Sequence, residues 1–196
     1  MCGIVGVIAE RNIIPILMEG LRRLEYRGYD SAGIAVRNQD ARLQRIRSVG
    51  KVAELQHLLD QREIEAPLGI AHTRWATHGM PAERNAHPHM SGEQVAVVHN
   101  GIIENHAELR AELQQKGFVF SSETDTEVIA HLLAALLAEG QGILDATRNA
   151  VAHLVGAYAL AVISPDDPDH LIVSRAGSPL VIGVGVGEHF IASDVF

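Results

Sequence analysis

The chain has 196 residues, a length that favours one domain over two. Hydrophobic residues make up 47% and charged residues 20%, a globular balance that excludes disordered, collagen-like and coiled-coil proteins. The formal net charge is −8 and no local basic patch interrupts it, which argues against nucleic acid or an anionic membrane surface as a partner. The longest apolar runs, such as 132–138, are far shorter than the roughly 20 residues of a membrane helix.

The amino terminus is apolar, but it has neither the basic leading segment nor the length of a signal peptide. The chain has one cysteine, which cannot form an internal disulfide, so we expect a cytoplasmic protein. This residue, Cys2, follows Met1 directly. Initiator methionine is normally removed before a small residue, and its removal would make Cys2 the mature amino terminus.

Elements of the first half are predicted from apolar periodicity and from turn residues. In chain order they are a buried strand at Gly3–Ala9, a helix at 12–26, a turn in YRGYDSAG, a strand at 34–37, a hairpin at 38–41, a helix at 51–60 and a strand at 68–75. The following stretch, 76–94, has little periodicity. Because long loops in compact domains are usually functional, we interpret it as a lid candidate.

Elements of the second half follow from the same signals and from helix caps. They are a strand at 95–98, a helix capped by Asn105, a strand at 118–120, a helix opened by a capping box of Thr124 and Glu127, a helix at 143–154, and an antiparallel meander of strands at 158–164, 170–175, 179–184 and 190–193. Helices and strands therefore occur in blocks without regular β-α-β alternation. This arrangement predicts an α+β fold rather than a doubly wound parallel sheet.

Cys2 is the first candidate for chemistry, because a thiol is a strong nucleophile once a base takes its proton. The amine of a terminal cysteine is well suited, since with a pKa near 7.7–8.0 it is neutral in roughly a tenth of molecules at pH 7. Alternatively, Cys2 is a small buried residue at the start of a core strand, as most lone cysteines are.

Acyl transfer also needs hydrogen-bond donors for a developing oxyanion, and Asn100 with Gly101 supplies an amide side chain and a flexible backbone N–H. Alternatively, this Asn-Gly pair forms a type I′ turn. An amino-acid substrate needs partners for its carboxylate and its ammonium, for which Arg74 and Asp125 are candidates. Otherwise Arg74 is a solvated surface charge and Asp125 a favourable charge in a first helical turn.

Six of the eleven histidines lie between His72 and His106, so a metal site has to be considered. The chain has no HExxH and no paired cysteines, which argues against metal catalysis. We expect these histidines to pack or to form hydrogen bonds in the lid. Trp75, the single tryptophan, is either a core residue or a cover that excludes water from a site.

Six segments in order resemble one known family: CGIVG, RRLEYRGYDSAG, HTRWATHG, NAHPH, HNGIIEN and SETDTE. Together they are similar to the glutaminase domain of the glucosamine-6-phosphate synthases, the isomerising glutamine–fructose-6-phosphate amidotransferases. The resemblance covers essentially the whole chain. It implies the N-terminal nucleophile hydrolase fold of class II glutamine amidotransferases, in which two antiparallel sheets lie face to face with helices on both outer sides.

The resemblance also implies roles for single residues. Cys2 would attack the side-chain amide of glutamine, its freed amine would shuttle the proton, and Asn100 with the Gly101 N–H would hold the oxyanion. Arg74 and Thr77 would contact the carboxylate of the substrate, and Asp125 would contact its ammonium group. Residues 74–80 would form a loop that closes over glutamine, and this loop also contains Trp75 and His78. No metal or other cofactor is implied.

The resemblance implies L-glutamine as substrate and, in the full-length enzyme, sugar-isomerase domains that use fructose 6-phosphate, within a homodimer. We expect residues 1–196 to be the glutaminase domain, ending before its last strands and before those domains. Glutamine hydrolysis is then the activity expected of this chain. Two alternatives remain open, namely a class II amidotransferase with another ammonia acceptor, and a catalytically silent glutamine-binding module.

Overall fold

The computed structural model describes residues 2–76 and 79–194. These residues form ten strands and five α-helices. The strands are β1 (Gly3–Ala9), β2 (Ser31–Arg37), β3 (Leu43–Val49), β4 (Leu68–Arg74), β5 (His89–Ser91), β6 (Val95–Ile103), β7 (Gly156–Ser164), β8 (Asp167–Ala176), β9 (Val181–Val184) and β10 (Glu188–Ala192). The helices are α1 (Ile14–Leu24), α2 (Val52–Asp60), α3 (His106–Gln115), α4 (Glu127–Ala138) and α5 (Ile143–Ala152).

The strands form two sheets. The first has six strands in the order β3-β2-β4-β1-β10-β9, and the second has four in the order β5-β6-β7-β8. Every neighbouring pair is antiparallel. The predicted α+β class is confirmed, and β1 lies inside the six-stranded sheet with β4 on one side and β10 on the other.

Three apolar clusters stack these elements into four layers. The first joins the outer face of the six-stranded sheet to α1 and α2, and includes Leu17, Leu21 and Leu55. The second joins the outer face of the four-stranded sheet to α3, α4 and α5, and includes Leu109, Leu133 and Ala146. The third fills the space between the sheets. The order of layers is therefore helix, sheet, sheet, helix, as the resemblance implies.

Strand alternation explains which side chains meet between the sheets. Ile4, Ile70 and Val98 belong to the cluster that fills this space. Side chains two positions apart on a strand share a face. At one end of the sandwich, the same inner faces therefore carry three polar side chains: Cys2, His72 and Asn100.

Three predictions about strands are wrong. The four C-terminal strands do not form one meander, because β9 and β10 pair in the six-stranded sheet while β7 and β8 belong to the other. Residues 118–120 form no strand; Phe118 and Phe120 pack against the helical cluster beside His131 instead. The strand predicted at 95–98 continues through Asn100 and Gly101 to the end of β6, so these two residues do not form a turn.

Both predicted helix caps are also wrong. Asn105 occupies the cap position of α3, but its side chain bonds to the backbone of His153 and Val155 at 2.8 and 3.0 Å. The next helix, α4, begins at Glu127 rather than after Thr124, and the Glu127 carboxylate accepts the backbone N–H groups of Ser121 and Ser122. In both cases the polar side chain is used to hold a loop rather than to cap a helix.

The lid candidate at 76–94 is only partly a surface connection. Its second half contains a short 3₁₀ turn at Glu83–Asn85 and the strand β5. Asn85, Ala86, His87 and His89 are buried there. The lid interpretation is therefore wrong for this half, which belongs to the core. Among the described helices, none has the length and apolar character needed to cross a membrane.

Candidate active site

Cys2 lies at the start of β1, at the edge of a cavity of about 520 Å³. In the described part of the chain, the hydrogen bonds of its Sγ both involve the backbone of Trp75, whose N–H donates at 3.3 Å and whose carbonyl oxygen lies at 3.5 Å. Burial raises the pKa of the Cys2 thiol above its ordinary value, although the Trp75 contact opposes this shift. The resting thiol is therefore protonated at neutral pH and needs a base before it can attack.

Asn100 reaches across from the four-stranded sheet to Cys2. Its Nδ2 donates to the Cys2 carbonyl oxygen at 3.2 Å, and its Oδ1 lies 2.9 Å from Nε2 of His72. Asn100 also lines the cavity beside Cys2. The amide is thus held at both ends and lies next to the candidate nucleophile.

Gly101 presents its backbone N–H at an open edge of β6. Backbone groups alternate along a strand, and the Ile103 N–H is directed to Asp125 at 2.9 Å, while the Glu104 N–H bonds to Val155 at 2.8 Å beside β7. The Gly101 N–H therefore points away from β7, on the side where β5 pairs only with Val95–Val97.

The backbone at position 101 also requires glycine. Its φ is +126°, in the region that L side chains avoid. A Cβ there would collide with the carbonyl oxygen of Ala157 on β7. Glycine is needed for this approach of β6 to β7, whichever role the N–H has.

Arg74 ends β4 and is 3% exposed, so it is not a solvated surface charge. Its Nη1 lies 3.8 Å from Oδ1 of Asp30, and its Nη2 donates to the Gly79 carbonyl at 3.4 Å. Asp30 also accepts the Ala76 N–H at 2.5 Å. This carboxylate therefore fixes both the guanidinium and the first residues of the loop that follows β4.

Trp75 is not a core residue, because it is 53% exposed. It lines the cavity beside Cys2. Its ring packs over Gly28, where a Cβ would come within 2.6 Å of the indole, and the φ of +74° at Gly28 also favours glycine. The interpretation of Trp75 as a core residue is therefore wrong, and its role as a cover stays a prediction.

Asp125 is buried directly before α4, not in its first turn. Its Oδ2 accepts the Ile103 N–H at 2.9 Å and lies 4.0 Å from Nδ1 of His99. Within the described residues, no hydrogen bond to its Oδ1 is formed. One carboxylate oxygen thus holds β6, and the other is available for a cation.

Two further candidates, Thr77 and His78, lie outside the described residues. Arg74 and Asp125 are also not among the residues that line the cavity beside Cys2, which are Cys2, Arg27, Trp75, Asn100, Gly101 and 102, 178 and 179. The structure thus brings Cys2, Asn100, Gly101 and Trp75 together. A larger, open cavity of about 710 Å³ lies elsewhere, near Asn38 and Arg62, and offers no nucleophile.

The histidines form a buried cluster instead of a metal site. His87 and His99 both bond to the Thr126 hydroxyl, at 2.8 and 2.9 Å, and His89 bonds to the Thr124 hydroxyl at 3.0 Å. These residues pack and form hydrogen bonds as predicted, but they do so in the core and not in a lid. No group of three or more potential ligands among residues 2–76 and 79–194 is arranged to hold a metal ion.

Three residues at the site were missed by sequence reasoning. Arg27 lines the cavity, with Nη1 3.3 Å from the Ser193 hydroxyl. Asp30 anchors the loop after β4, and His72 contacts Asn100. Arg27 and Asp30 stand in YRGYDSAG, where the charges flanking the glycines were a signal that the interpretation as a turn overlooked.

The sequence matches one known family over more than half of its length. Residues 72–195 match the family model described as a glutamine amidotransferase domain. A glutamine–fructose-6-phosphate aminotransferase (isomerizing) from Pseudomonas putida is 62% identical over 194 residues, which cover 99% of this chain and 32% of that protein. The enzyme of the same name from Acinetobacter baylyi is 63% identical, with 99% and 31% covered. The chain thus spans about a third of the length of these curated relatives.

Solved structures show the same architecture. A glutamine phosphoribosylpyrophosphate amidotransferase from B. subtilis, in complex with ADP and GMP, superposes with a TM-score of 0.83 at 27% identity, over 98% of this chain and 42% of that chain. A glutamine aminotransferase class-II domain protein from Silicibacter pomeroyi gives a TM-score of 0.68 at 13% identity, over 97% and 88% of the two chains. The second likeness shows the fold alone.

Proposed function

This chain belongs to the glutamine amidotransferase domain family, and from that premise we propose that it hydrolyses the side-chain amide of L-glutamine to glutamate and ammonia. The observation that carries the proposal is the meeting of a thiol, an amide nitrogen and a strand-edge N–H around one cavity, contributed by Cys2, Asn100 and Gly101. These three groups are a nucleophile and two donors for an oxyanion, the set that acyl transfer requires.

The base is proposed to be the amine of Cys2 itself, after removal of Met1. The raised pKa of the thiol means that a proton acceptor is needed. The imidazole of His72, which also lies on the inner faces, is a poor base because burial lowers its pKa to about 3. A terminal amine has a pKa near 7.7–8.0, so roughly a tenth of it is neutral at pH 7.

The reaction then proceeds in two steps. Sγ bonds to the amide carbon as its proton passes to the amine, and the Asn100 Nδ2–H and the Gly101 N–H stabilise the tetrahedral oxyanion. The C–N bond breaks as the amine returns the proton to the leaving nitrogen, which releases ammonia and leaves a thioester on Cys2. Water, deprotonated by the same amine, hydrolyses the thioester to glutamate. Every step uses side chains, backbone and water, and no cofactor or metal is proposed.

The amino-acid end of glutamine is proposed to bind Arg74, Thr77 and Asp125, with His78 and Trp75 in the same loop. The buried guanidinium of Arg74 suits a carboxylate. Oδ1 of Asp125 suits an ammonium group, because Oδ2 alone is used to hold the Ile103 N–H and a carboxylate forms charge-assisted hydrogen bonds with ammonium.

The acceptor of the ammonia is proposed to be fructose 6-phosphate, bound by sugar-isomerase domains of a longer, homodimeric, cytoplasmic enzyme. Two curated relatives with 62% and 63% identity are named for this activity, and they are about three times as long as this chain. An acceptor such as that of the phosphoribosylpyrophosphate enzyme is less favoured, because that protein is 27% identical. The present residues, 1–196, are proposed to be the glutaminase domain of such an enzyme.

Covalent labelling tests the glutaminase proposal. We expect the intact mass of the protein to lack one methionine residue, and a diazoketone analogue of glutamine to add once, on Cys2. Glutamine should protect the thiol against this reaction, and asparagine, which is one methylene shorter, should not. Labelling at an unchanged rate in saturating glutamine, or an adduct on another residue, would contradict the proposal. Protection by glutamine without ammonia release would favour the silent binding module.

Asn100→Ala should lower the turnover of glutamine by about 100-fold or more, the usual cost of losing one oxyanion donor. Because the amide acts on the transition state, kcat should fall much more than KM rises. Steady-state ammonia release measures both. Asn149→Ala, at an exposed position of α5 that does not line the cavity, is the matched control and should retain a turnover within about threefold of the unchanged protein. A near-normal rate for Asn100→Ala would remove this residue from the mechanism.

A further inference from the structure

His72 makes a forked contact between the two sheets. It lies on β4 with no exposed surface, and its Nε2 lies 3.0 Å from the His99 carbonyl oxygen and 2.9 Å from Oδ1 of Asn100. Neither oxygen carries a hydrogen. Nε2 must therefore hold the proton and donate to both, which fixes the neutral Nε2–H tautomer. Within the described residues, Nδ1 of the ring has no hydrogen-bond partner.

The fork also fixes the orientation of the Asn100 amide. With the Nε2–H facing Oδ1, the amide nitrogen is turned toward Cys2 and donates to its carbonyl at 3.2 Å. If the amide were flipped, its N–H would face the N–H of His72, and its oxygen would face the Cys2 carbonyl. Both ends of the flipped amide would be unsatisfied, so the observed orientation is the favoured one.

The second hydrogen of the amide nitrogen matters for chemistry. The amide carries two N–H bonds, and among the described residues only the Cys2 carbonyl accepts one of them. The other remains for a ligand atom in the cavity that Asn100 lines with Cys2. A donor serves an oxyanion only if it is already aimed before the charge develops.

We propose that His72 is a positioning residue, whose Nε2–H locks the Asn100 amide with its nitrogen toward the oxyanion formed at Cys2. This inference rests on the proposed glutaminase function. His72 does not touch the substrate; it acts through Asn100. The burial that lowers the pKa of His72 to about 3 keeps the ring neutral over the working pH range, so the fork is maintained throughout.

Two substitutions separate positioning from packing. His72→Phe keeps a ring but loses the donor, whereas the side-chain amide of His72→Gln places an N–H near the former Nε2. We expect kcat for glutamine hydrolysis to fall about tenfold or more in His72→Phe. This loss is smaller than that of Asn100→Ala, because the oxyanion donor is still present but is no longer held in its orientation. KM should stay within about threefold, and His72→Gln should recover most of kcat.

A double-mutant cycle with Asn100 decides whether His72 acts through this residue. If it does, His72→Phe in the Asn100→Ala background should cost less than twofold further, because no amide remains to be oriented. His131→Phe is the matched control, since it removes another buried imidazole. His131 lies on α4, and its Nδ1 lies 2.9 Å from the Ser91 hydroxyl. It should lower the thermal midpoint but leave kcat unchanged. Equal losses in both Asn100 backgrounds, an unchanged kcat in His72→Phe, or an effect on KM alone would each overturn the proposal.

A measurement on the unsubstituted chain stands apart from activity and from the folding of variants. Long-range ¹H–¹⁵N spectra of the histidine rings should show His72, assigned by its loss in His72→Gln, as the neutral Nε2–H tautomer at pH 7. A neutral Nδ1–H or a charged ring would overturn the proposal even in an active enzyme. If the chain proves inactive, the glutaminase proposal fails, while the tautomer still reports whether the fork exists.

Discussion

Cys2→Ala should abolish ammonia release from glutamine and leave glutamine binding intact. No other thiol exists in the chain to take over, and the nucleophile forms the bond on which both steps depend. Loss of the nucleophile in a serine protease costs about 10⁶-fold in kcat, and we expect a loss of similar size here. Binding should survive because Arg74 and Asp125, which are proposed to hold the amino-acid end, are unchanged. Ammonia release and equilibrium binding of glutamine measure the two properties separately.

A surface variant provides the control for this loss. His189→Gln changes an exposed residue of β10 and should retain full turnover. Turnover in Cys2→Ala above the background of the assay would rule out Cys2 as the nucleophile. Full turnover in protein that still carries Met1 would leave the thiol mechanism standing but remove the Cys2 amine as its base.

Acid should unfold the chain steeply between about pH 6.5 and pH 4. The pKa of His72 is lowered by burial to about 3, and burial also lowers the pKa values of His87 and His89 well below the ordinary value of 6.5. Below pH 6.5 the unfolded chain binds protons at these residues and the folded chain does not. The free energy of unfolding therefore falls as the pH falls, by about 1.4 kcal/mol per pH unit for each histidine.

Together the three rings give a slope of about 4 kcal/mol per pH unit, large against the usual 5–15 kcal/mol of stability. The charges that face His89 are Glu127, which opposes the lowering of its pKa, and Arg47, Arg45 and Arg74, which add to it. Glu127 also lowers the free energy of unfolding as the pH falls below its ordinary pKa of 4.5, because its pKa is lowered in the folded chain. Burial opposes the shift of this carboxyl, but hydrogen bonds from His131, Ser122 and Ser121 lower its pKa.

Urea unfolding at several pH values measures this slope. His87→Gln keeps a side-chain donor beside the Thr126 hydroxyl and removes one titrating ring. Its unfolding free energy should depend less steeply on pH, by about 1.4 kcal/mol per pH unit. His189→Gln, on the surface, should not change the slope. A flat dependence between pH 6.5 and 4.5 in the unsubstituted chain would mean that the buried rings do not titrate as inferred.

Local patterns predicted most elements but not how distant elements combine. Apolar runs identified β1 and β4, which are buried on both faces, and helical spacing identified α1, α2 and α5, each of which buries one face. The same patterns did not show that β9 and β10 leave the sheet of β7 and β8. A strand pattern tells which face is buried, but it does not identify the neighbouring strand. Phe118 and Phe120 led to a false strand prediction, because two apolar residues that pack against helices have the same spacing as the buried residues of a strand.

Site residues could be predicted where the side-chain type alone suggests a chemical role. They were missed where the role depends on a contact with a residue distant in sequence. Cys2, Asn100, Arg74 and Asp125 were predicted from side-chain type and motif, and the structure places Cys2 and Asn100 at one cavity. His72 was noticed only as one of many histidines, because its contact with Asn100 depends on the face-to-face packing of two sheets. Asp30 was overlooked for the same reason, since its partners, Arg74 and Ala76, lie more than 40 residues away in sequence.

The interior position of β1 has a consequence during protein synthesis. Its partner strands are β4 and β10, and the pair Val5 with Ala192 joins the two ends of the described chain. Because a chain leaves the ribosome amino terminus first, β1 cannot be enclosed on both sides until almost all of these residues have emerged. A methionine aminopeptidase can therefore reach the leading residues before β10 covers β1, and the amine proposed as the base can be exposed before the sheet closes around it.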